Sequence, residues 1–182
     1  MDQVRRGELP WLTIDVLHRM ILDDLIKRFR INGLRETEIA ELNRVWHRLK
    51  RWPDSVRGLK RLKTKYIIAP LSNGNVSLLT NMAKFSGLPW DLILSAELAK
   101  HYKPDPESYL TAAQLLDLRP EQVMMVAAHK SDLDHAARTG MQTAFIPRPK
   151  EFNPDRKTDL KYERRFRINA GDFLEFAEQL GV

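Results

Sequence analysis

The chain has 182 residues, 43% hydrophobic and 30% charged, which suits one globular domain with a small appendage and excludes a fibrous or disordered polypeptide. The absence of cysteine rules out a disulfide framework or thiolate metal site, and no apolar run reaches membrane-spanning length. The net charge of +6 comes from 30 Lys and Arg against 24 Asp and Glu; it lies partly in Arg44–Lys65 and Lys157–Arg167 with no recognition motif or stacking platform beside it, so a solvated basic face is expected rather than a nucleic-acid site.

The opening MDQVRRGELPW carries no apolar signal core, and with the lack of cysteine this points to the cytoplasm. Ile14, Leu17, Ile21 and Leu25 then fall on one stripe, predicting a helix over Thr13–Phe29 that stops at Asn32-Gly33. A second helix is expected over Glu36–Lys50. Ile39, Leu42, Trp46 and Leu49 form its inward face, while His47, Arg48 and Lys50 point elsewhere. Trp52-Pro53 breaks that pattern, and Pro53 opens a third helix with Val56, Leu59 and Leu62 inward. No strand signal occurs up to this point. Residues 1–52 therefore read as a helical cap segment and residues 53–182 as an α/β core. Trp11 and Trp46 are expected in the cap core, with a contact between two copies of the chain as the other place for them.

From Lys65 the pattern changes. Tyr66–Leu71 reads as a strand, followed by the turn Ser72-Asn73-Gly74-Asn75 and a helix from Val76 to Gly87 carrying Val76, Leu79 and Met82. Asp91–Ser95 reads as a short strand. Asp105 is placed to cap a helix that has Pro106 at its first position and bears Tyr109, Ala113 and Leu116. Val123–Val126, a loop at Ala127–Ser131, a helix over Asp132–Thr139 and a strand at Thr143–Ile146 make a βαβ unit, with Gly140 at the left-handed position after the helix. Lys150–Arg165 reads as a surface loop, Phe166–Ile168 as a last strand, and Gly171–Leu180 as a terminal helix with Phe173, Phe176 and Leu180 inward. The expected fold is α/β, a Rossmann-like parallel sheet with a helical segment ahead of it. In such a sheet, ligands bind outside the carboxyl ends of the strands.

Three loops fall where that rule directs attention: Leu71-Ser72-Asn73-Gly74-Asn75, Tyr102–Tyr109 (YKPDPESY) and Ala127–Asp132 (AAHKSD). Together they offer a hydroxyl and an amide for an anion, an ammonium and a carboxylate. Each alone has an ordinary explanation: a turn, a surface lysine, a helix-start acid. In this order and spacing they resemble the second, third and fourth motifs of the haloacid dehalogenase superfamily, in its L-2-haloacid dehalogenase (type II) branch. The resemblance extends to VRRGELPWLTIDVLHR, which is similar to part of that family's helical cap.

The resemblance implies hydrolytic dehalogenation of short 2-haloacids through an aspartyl ester. Ser72 and Asn73 would meet the substrate carboxylate, with Tyr109 positioning loop or substrate. Lys103 would balance the acidic groups, and Asp132 or His129 would orient water. It implies no cofactor and no metal. Phosphatases of the superfamily carry a further Asp for Mg²⁺ where this chain has Ala128, and Asp134 lies a turn into the helix, so phosphatase chemistry is the alternative reading. A non-catalytic binding module is the other. The implied partner is a small anionic acid, with a homodimer as a further expectation.

The family's first motif, an apolar strand ending in a nucleophilic Asp before Gly-Thr, has no match. Asp15 in Leu12–Val16 is read as a helix-start acid, and Arg5 and Arg6 are weak counterparts of the family's cap arginine. The expectation is a family member shorn of its nucleophile strand, with little turnover of its own.

Overall fold

The structure, a computed structural model, describes residues 1–152 and 160–182. Nine α-helices and five short strands follow in chain order among them. They are α1 (Asp2–Arg5), α2 (Ile14–Arg28), α3 (Glu36–Asn43), α4 (Ser55–Leu62), β1 (Leu71–Ser72), α5 (Val76–Ser86), β2 (Leu94–Ser95), α6 (Ala96–Ala99), α7 (Pro106–Gln114), β3 (Met124–Ala127), α8 (Lys130–Arg138), β4 (Gln142–Phe145), β5 (Ile168–Asn169) and α9 (Phe173–Gln179). Every strand pairing is parallel, with β1 on β2 and the order β3-β4-β5 in a second sheet. This is the expected α/β architecture with a helical segment ahead of it.

Local chemistry fixes the loops that matter. Asn75 precedes α5 in extended backbone, and Gly87 ends that helix at φ 66°, where the Leu88 N–H returns to the Ala83 carbonyl. Pro106 opens α7 behind Asp105. Gly140, at φ 92°, turns the chain from α8 into β4.

The core forms in four clusters, one of them Leu133, Phe145 and Phe166 beside Met125 and Ala127. Leu59 and Leu62 of α4 pack with Phe176 and Ala177 of α9 against Ala144 and Ile146. Ile14 and Leu17 of α2 pack on Leu78 and Leu79 of α5 and on Tyr102, so α2 is fastened to α5 and to the segment that bears Tyr102. Tyr109 and Ala113 of α7 meet Ala136 of α8 beside Leu71 and Met125, which brings β1 and β3 to one cluster.

Several expectations need correction. The strand expected at Tyr66–Leu71 pairs only at Leu71–Ser72: the Asp91 carboxylate takes the Ile68 N–H, and Pro70 has no N–H to give. The strand expected at Asp91–Ser95 is likewise confined to Leu94–Ser95, and the one at Phe166–Ile168 to Ile168–Asn169. Helix α8 starts at Lys130, inside the expected loop. The helix expected over Glu36–Lys50 ends at Asn43 and continues as a 3₁₀ turn, Arg44–Arg48. That tightening rotates the register, so His47 is buried at 7% exposure while Trp46 lies at the surface; Leu42, still inside α3, and Leu49, beyond the turn, are exposed as well. On α2 the stripe is inward at Ile14 and Leu17 but exposed at Ile21 and Leu25. Trp11, by contrast, packs into the core beside Tyr102, as expected. Of the surface loop expected at Lys150–Arg165, residues 153–159 lie outside the described residues.

Candidate active site

The loops after β1, β2 and β3 converge. The Lys103 Nζ lies 2.6 Å from the Asp132 Oδ2, and the Tyr109 hydroxyl donates to the Asp132 Oδ1 at 2.6 Å. Asp132 is in the first turn of α8, Tyr109 is in α7, and Lys103 precedes a cis bond to Pro104. Both side chains of the ion pair are mostly buried, at 15% and 20% exposure, which strengthens their attraction relative to a surface pair. Burial and then the Asp132 carboxylate hold the Tyr109 phenol far above its ordinary pKa, so it stays a donor. Its ring also lies under the Lys103 ammonium, 5.9 Å from the nitrogen.

Asn73 ties the first loop to the second. Its Oδ1 accepts from the Lys103 N–H at 2.7 Å, and its Nδ2 donates to the Lys103 carbonyl at 3.2 Å. The side chain of Asn73 is therefore committed to the lysine's backbone. Ser72 Oγ accepts from the Gly74 N–H at 3.1 Å, which leaves its own O–H available to an outside acceptor. Ser95 of β2 braces the same turn by donating to the Gly74 carbonyl at 2.6 Å.

His129 stands apart from this cluster. It precedes α8, and its Nε2 lies 2.9 Å from Glu151 while the ring stacks on Phe152. Asp134 faces Arg165 at 2.6 Å, away from Lys103. Arg5 donates twice to Asp105, from Nε at 2.9 Å and Nη2 at 2.7 Å, and Arg6 pairs with Glu8.

Some partners carried no local sequence signal. Glu151 follows a Lys in a polar stretch, and Arg5 lies a hundred residues from Asp105. Asp15, read as a helix-start acid, does stand in the first turn of α2 and in addition holds His47 and Asn75, at 3.1 Å and 3.0 Å.

Mg²⁺ asks for several oxygen ligands. Here Ala128 offers none, and both Asp132 oxygens are already engaged by Lys103 and Tyr109. No group of three His, Asp or Glu able to hold a metal ion exists among the described residues. The side chains present do not fit a divalent-cation site.

A family model for haloacid dehalogenase-like hydrolases matches residues 4–138. The (S)-2-haloacid dehalogenase 4A of Burkholderia cepacia is 40% identical over 103 residues, 55% of this chain and 45% of that protein. The chain spans about half the length of the curated relatives it matches. Among solved structures, the L-2-haloacid dehalogenase PA0810 is 45% identical with a TM-score of 0.95, covering 100% of this chain and 79% of that one. The defluorinating L-2-haloacid dehalogenase Rha0230 is 46% identical with a TM-score of 0.96, covering 100% and 75%.

Proposed function

The chain belongs to the haloacid dehalogenase-like hydrolases, and on that premise we propose that it serves the hydrolytic removal of halide from short 2-haloacids. In this chemistry a carboxylate oxygen attacks C2 of the acid, and the carbon–halogen bond breaks with the electron pair leaving on halide. Water then cleaves the ester, giving a 2-hydroxy acid and the free carboxylate.

The observation that carries the reading is the joining of Asn73, Lys103, Tyr109 and Asp132 across the carboxyl ends of β1 and β3. Lys103 supplies the positive charge that an anionic acid and an anionic nucleophile both need. The Ser72 hydroxyl is the donor for the substrate carboxylate. Asn73 acts by fixing Lys103, and Tyr109 by fixing Asp132. Asp132 is the charge partner of Lys103 and the acid that orients water, with His129 at the rim as a second polar group. Residues 1–52 serve as the cap segment over a core of residues 53–182.

Of the groups gathered at Lys103 among the described residues, none is assigned the attack on carbon, and slow turnover by the 182-residue polypeptide is part of the proposal. The reaction needs no cofactor on this reading, since the donor set does not suit Mg²⁺; that same mismatch ranks phosphate-ester hydrolysis second. No helix of the described residues is long and apolar enough to cross a membrane. The cysteine-free composition supports action in the cytoplasm, and the exposed apolar side chains Ile21, Phe29 and Leu42 support pairing with a second copy.

The test is a titration of the purified chain with L-2-chloropropionate and with L-lactate, followed at the Ser72, Asn73 and Gly74 amides, alongside a chloride-release assay. Binding of both acids with slow release is expected. Phosphate release from a small ester that depends on Mg²⁺, without acid binding, would overturn the reading. Rapid chloride release would overturn its statement about the nucleophile.

A further inference from the structure

A second polar cluster lies behind the Ser72 turn and takes no part in the chemistry above. Asp15, in the first turn of α2, exchanges two hydrogen bonds with Asn75: its backbone N–H donates to the Asn75 Oδ1 at 3.3 Å, and the Asn75 Nδ2 donates to its Oδ2 at 3.0 Å. The same carboxylate faces the His47 Nε2, 3.1 Å from each oxygen. On the far side of the ring, the Asn81 Nδ2 lies 3.0 Å from the His47 Nδ1. Asn43 closes the group by donating to the Asp15 carbonyl at 3.1 Å.

The Asp15 carboxylate facing Nε2 and the Asn81 amide facing Nδ1 engage the ring on both sides. A buried side chain with both ring nitrogens engaged is fixed in orientation. The cluster therefore spans the helical segment (Asp15, Asn43, His47) and the core (Asn75, Asn81). Asn75 is the last residue of the turn whose Ser72 and Asn73 stand at the site. A displacement of Asn75 moves that turn, because only Gly74 separates it from Asn73.

We propose that Asp15 and His47 are positioning residues: they set the Ser72–Asn75 turn, and through it the Asn73–Lys103 bond, from the helical segment. This deepens the reading under "Proposed function" and rests on it for the identity of the ligand. His47 holds Asp15, Asp15 holds Asn75, and Asn75 holds the turn. Neither residue touches the substrate.

The experiment is NMR on the full 182-residue chain and its variants, using sodium L-lactate as the probe. His47→Leu removes the donor to Asp15, so the amide resonances of residues 72–75 shift and lactate affinity falls about fivefold, the loss of one hydrogen bond of about 1 kcal/mol. His47→Gln, which keeps an N–H near the Nε2 position, restores both to within twofold. Should His47→Leu not fold, Asp15→Asn gives the same two measurements with shape preserved. A purely structural role would lower the melting temperature of these variants and leave lactate affinity unchanged in the folded protein.

Unchanged 72–75 resonances in His47→Leu and Asp15→Asn would overturn the proposal. Absence of lactate binding to the wild type would overturn the dehalogenase reading instead. In that case the shifts at residues 72–75 still decide whether Asp15 and His47 set the turn.

Discussion

Lys103 and Asp132 meet at 2.6 Å, and their contact joins the loop after β2 to the helix after β3. Neither loop lies on a strand paired with the other's. The two sheets are thus connected at the site by side-chain chemistry, with Tyr109 bridging from α7. The groups proposed to carry the chemistry also hold the two sheets together, so substitutions among them are expected to cost binding and stability alike.

Asp132→Ala is the sharpest case. It leaves the Lys103 ammonium, at 15% exposure, without its counter-ion and the Tyr109 hydroxyl without an acceptor. Removing one partner of a mostly buried pair costs about 3 kcal/mol. An unfolding free energy lower by that amount, measured by denaturant titration, is expected, with loss of 2-haloacid binding. The double variant Lys103→Met/Asp132→Leu should recover much of the stability and none of the binding.

A second ion pair governs acid stability. Arg148 donates from both terminal nitrogens to Asp54, at 2.9 Å each, and Asp54 also accepts the Phe173 N–H at 2.9 Å. The Arg148 guanidinium lies between the rings of Trp52 and Phe173. Burial alone would raise the Asp54 carboxyl, but the bonds from Arg148 and Phe173 hold it below its ordinary value. A carboxyl depressed on folding stabilises fully above its unfolded pKa of about 3.9, and that contribution is lost as pH falls through the lower folded value. Asp54→Asn should therefore be less stable than wild type at pH 7, by about 2 kcal/mol. The gap should narrow as melting is followed from pH 4 downward. A gap that stays constant with pH would contradict the assignment.

The loops that come together at Lys103 and Asp132 were more legible in the sequence than the extent of the strands. Asn75, Gly87, Asp105 and Pro106 act through their own backbones, so α5 and α7 were legible within a residue or two at their starts. The three site loops were legible because each follows or precedes such a signal. The strands were overextended, since whether Ile68 pairs depends on the distant Asp91 carboxylate. His47 was misread as outward-facing because the helical period of 3.6 does not hold across the 3₁₀ turn at Arg44–Arg48. The Asp54–Arg148 pair spans 94 residues, and no local pattern announces it.

Gly58 tests packing against propensity. It lies inside α4, where alanine ordinarily gains about 1 kcal/mol. A Cβ there would stand 2.4 Å from the Phe173 Cβ and 2.7 Å from that residue's carbonyl carbon and oxygen. Two of those atoms are backbone and cannot rotate aside, so α9 must move away from α4. Overpacking of this kind costs about 1–3 kcal/mol. Gly58→Ala is expected to lower the melting temperature; a rise would mean that α9 yields more easily than its packing implies.

Tyr109→Phe separates the hydroxyl from the ring. The ring is buried at 0% exposure and packs beside Ala113, Ala136 and Met141, so the core volume is kept. What is lost is the donor to the Asp132 Oδ1. The carboxylate then keeps Lys103 on one oxygen and has an unpaired second oxygen, about 1–2 kcal/mol less favourable. The freed carboxylate can swing about its χ2, so Lys103 loses its fixed aim toward the bound acid. The expected result is a modest fall in melting temperature with a clear loss of L-lactate affinity, measured by the same amide titration. Lactate affinity equal to wild type in Tyr109→Phe would mean that Lys103 alone orients Asp132, and that the tyrosine serves the core and not the site.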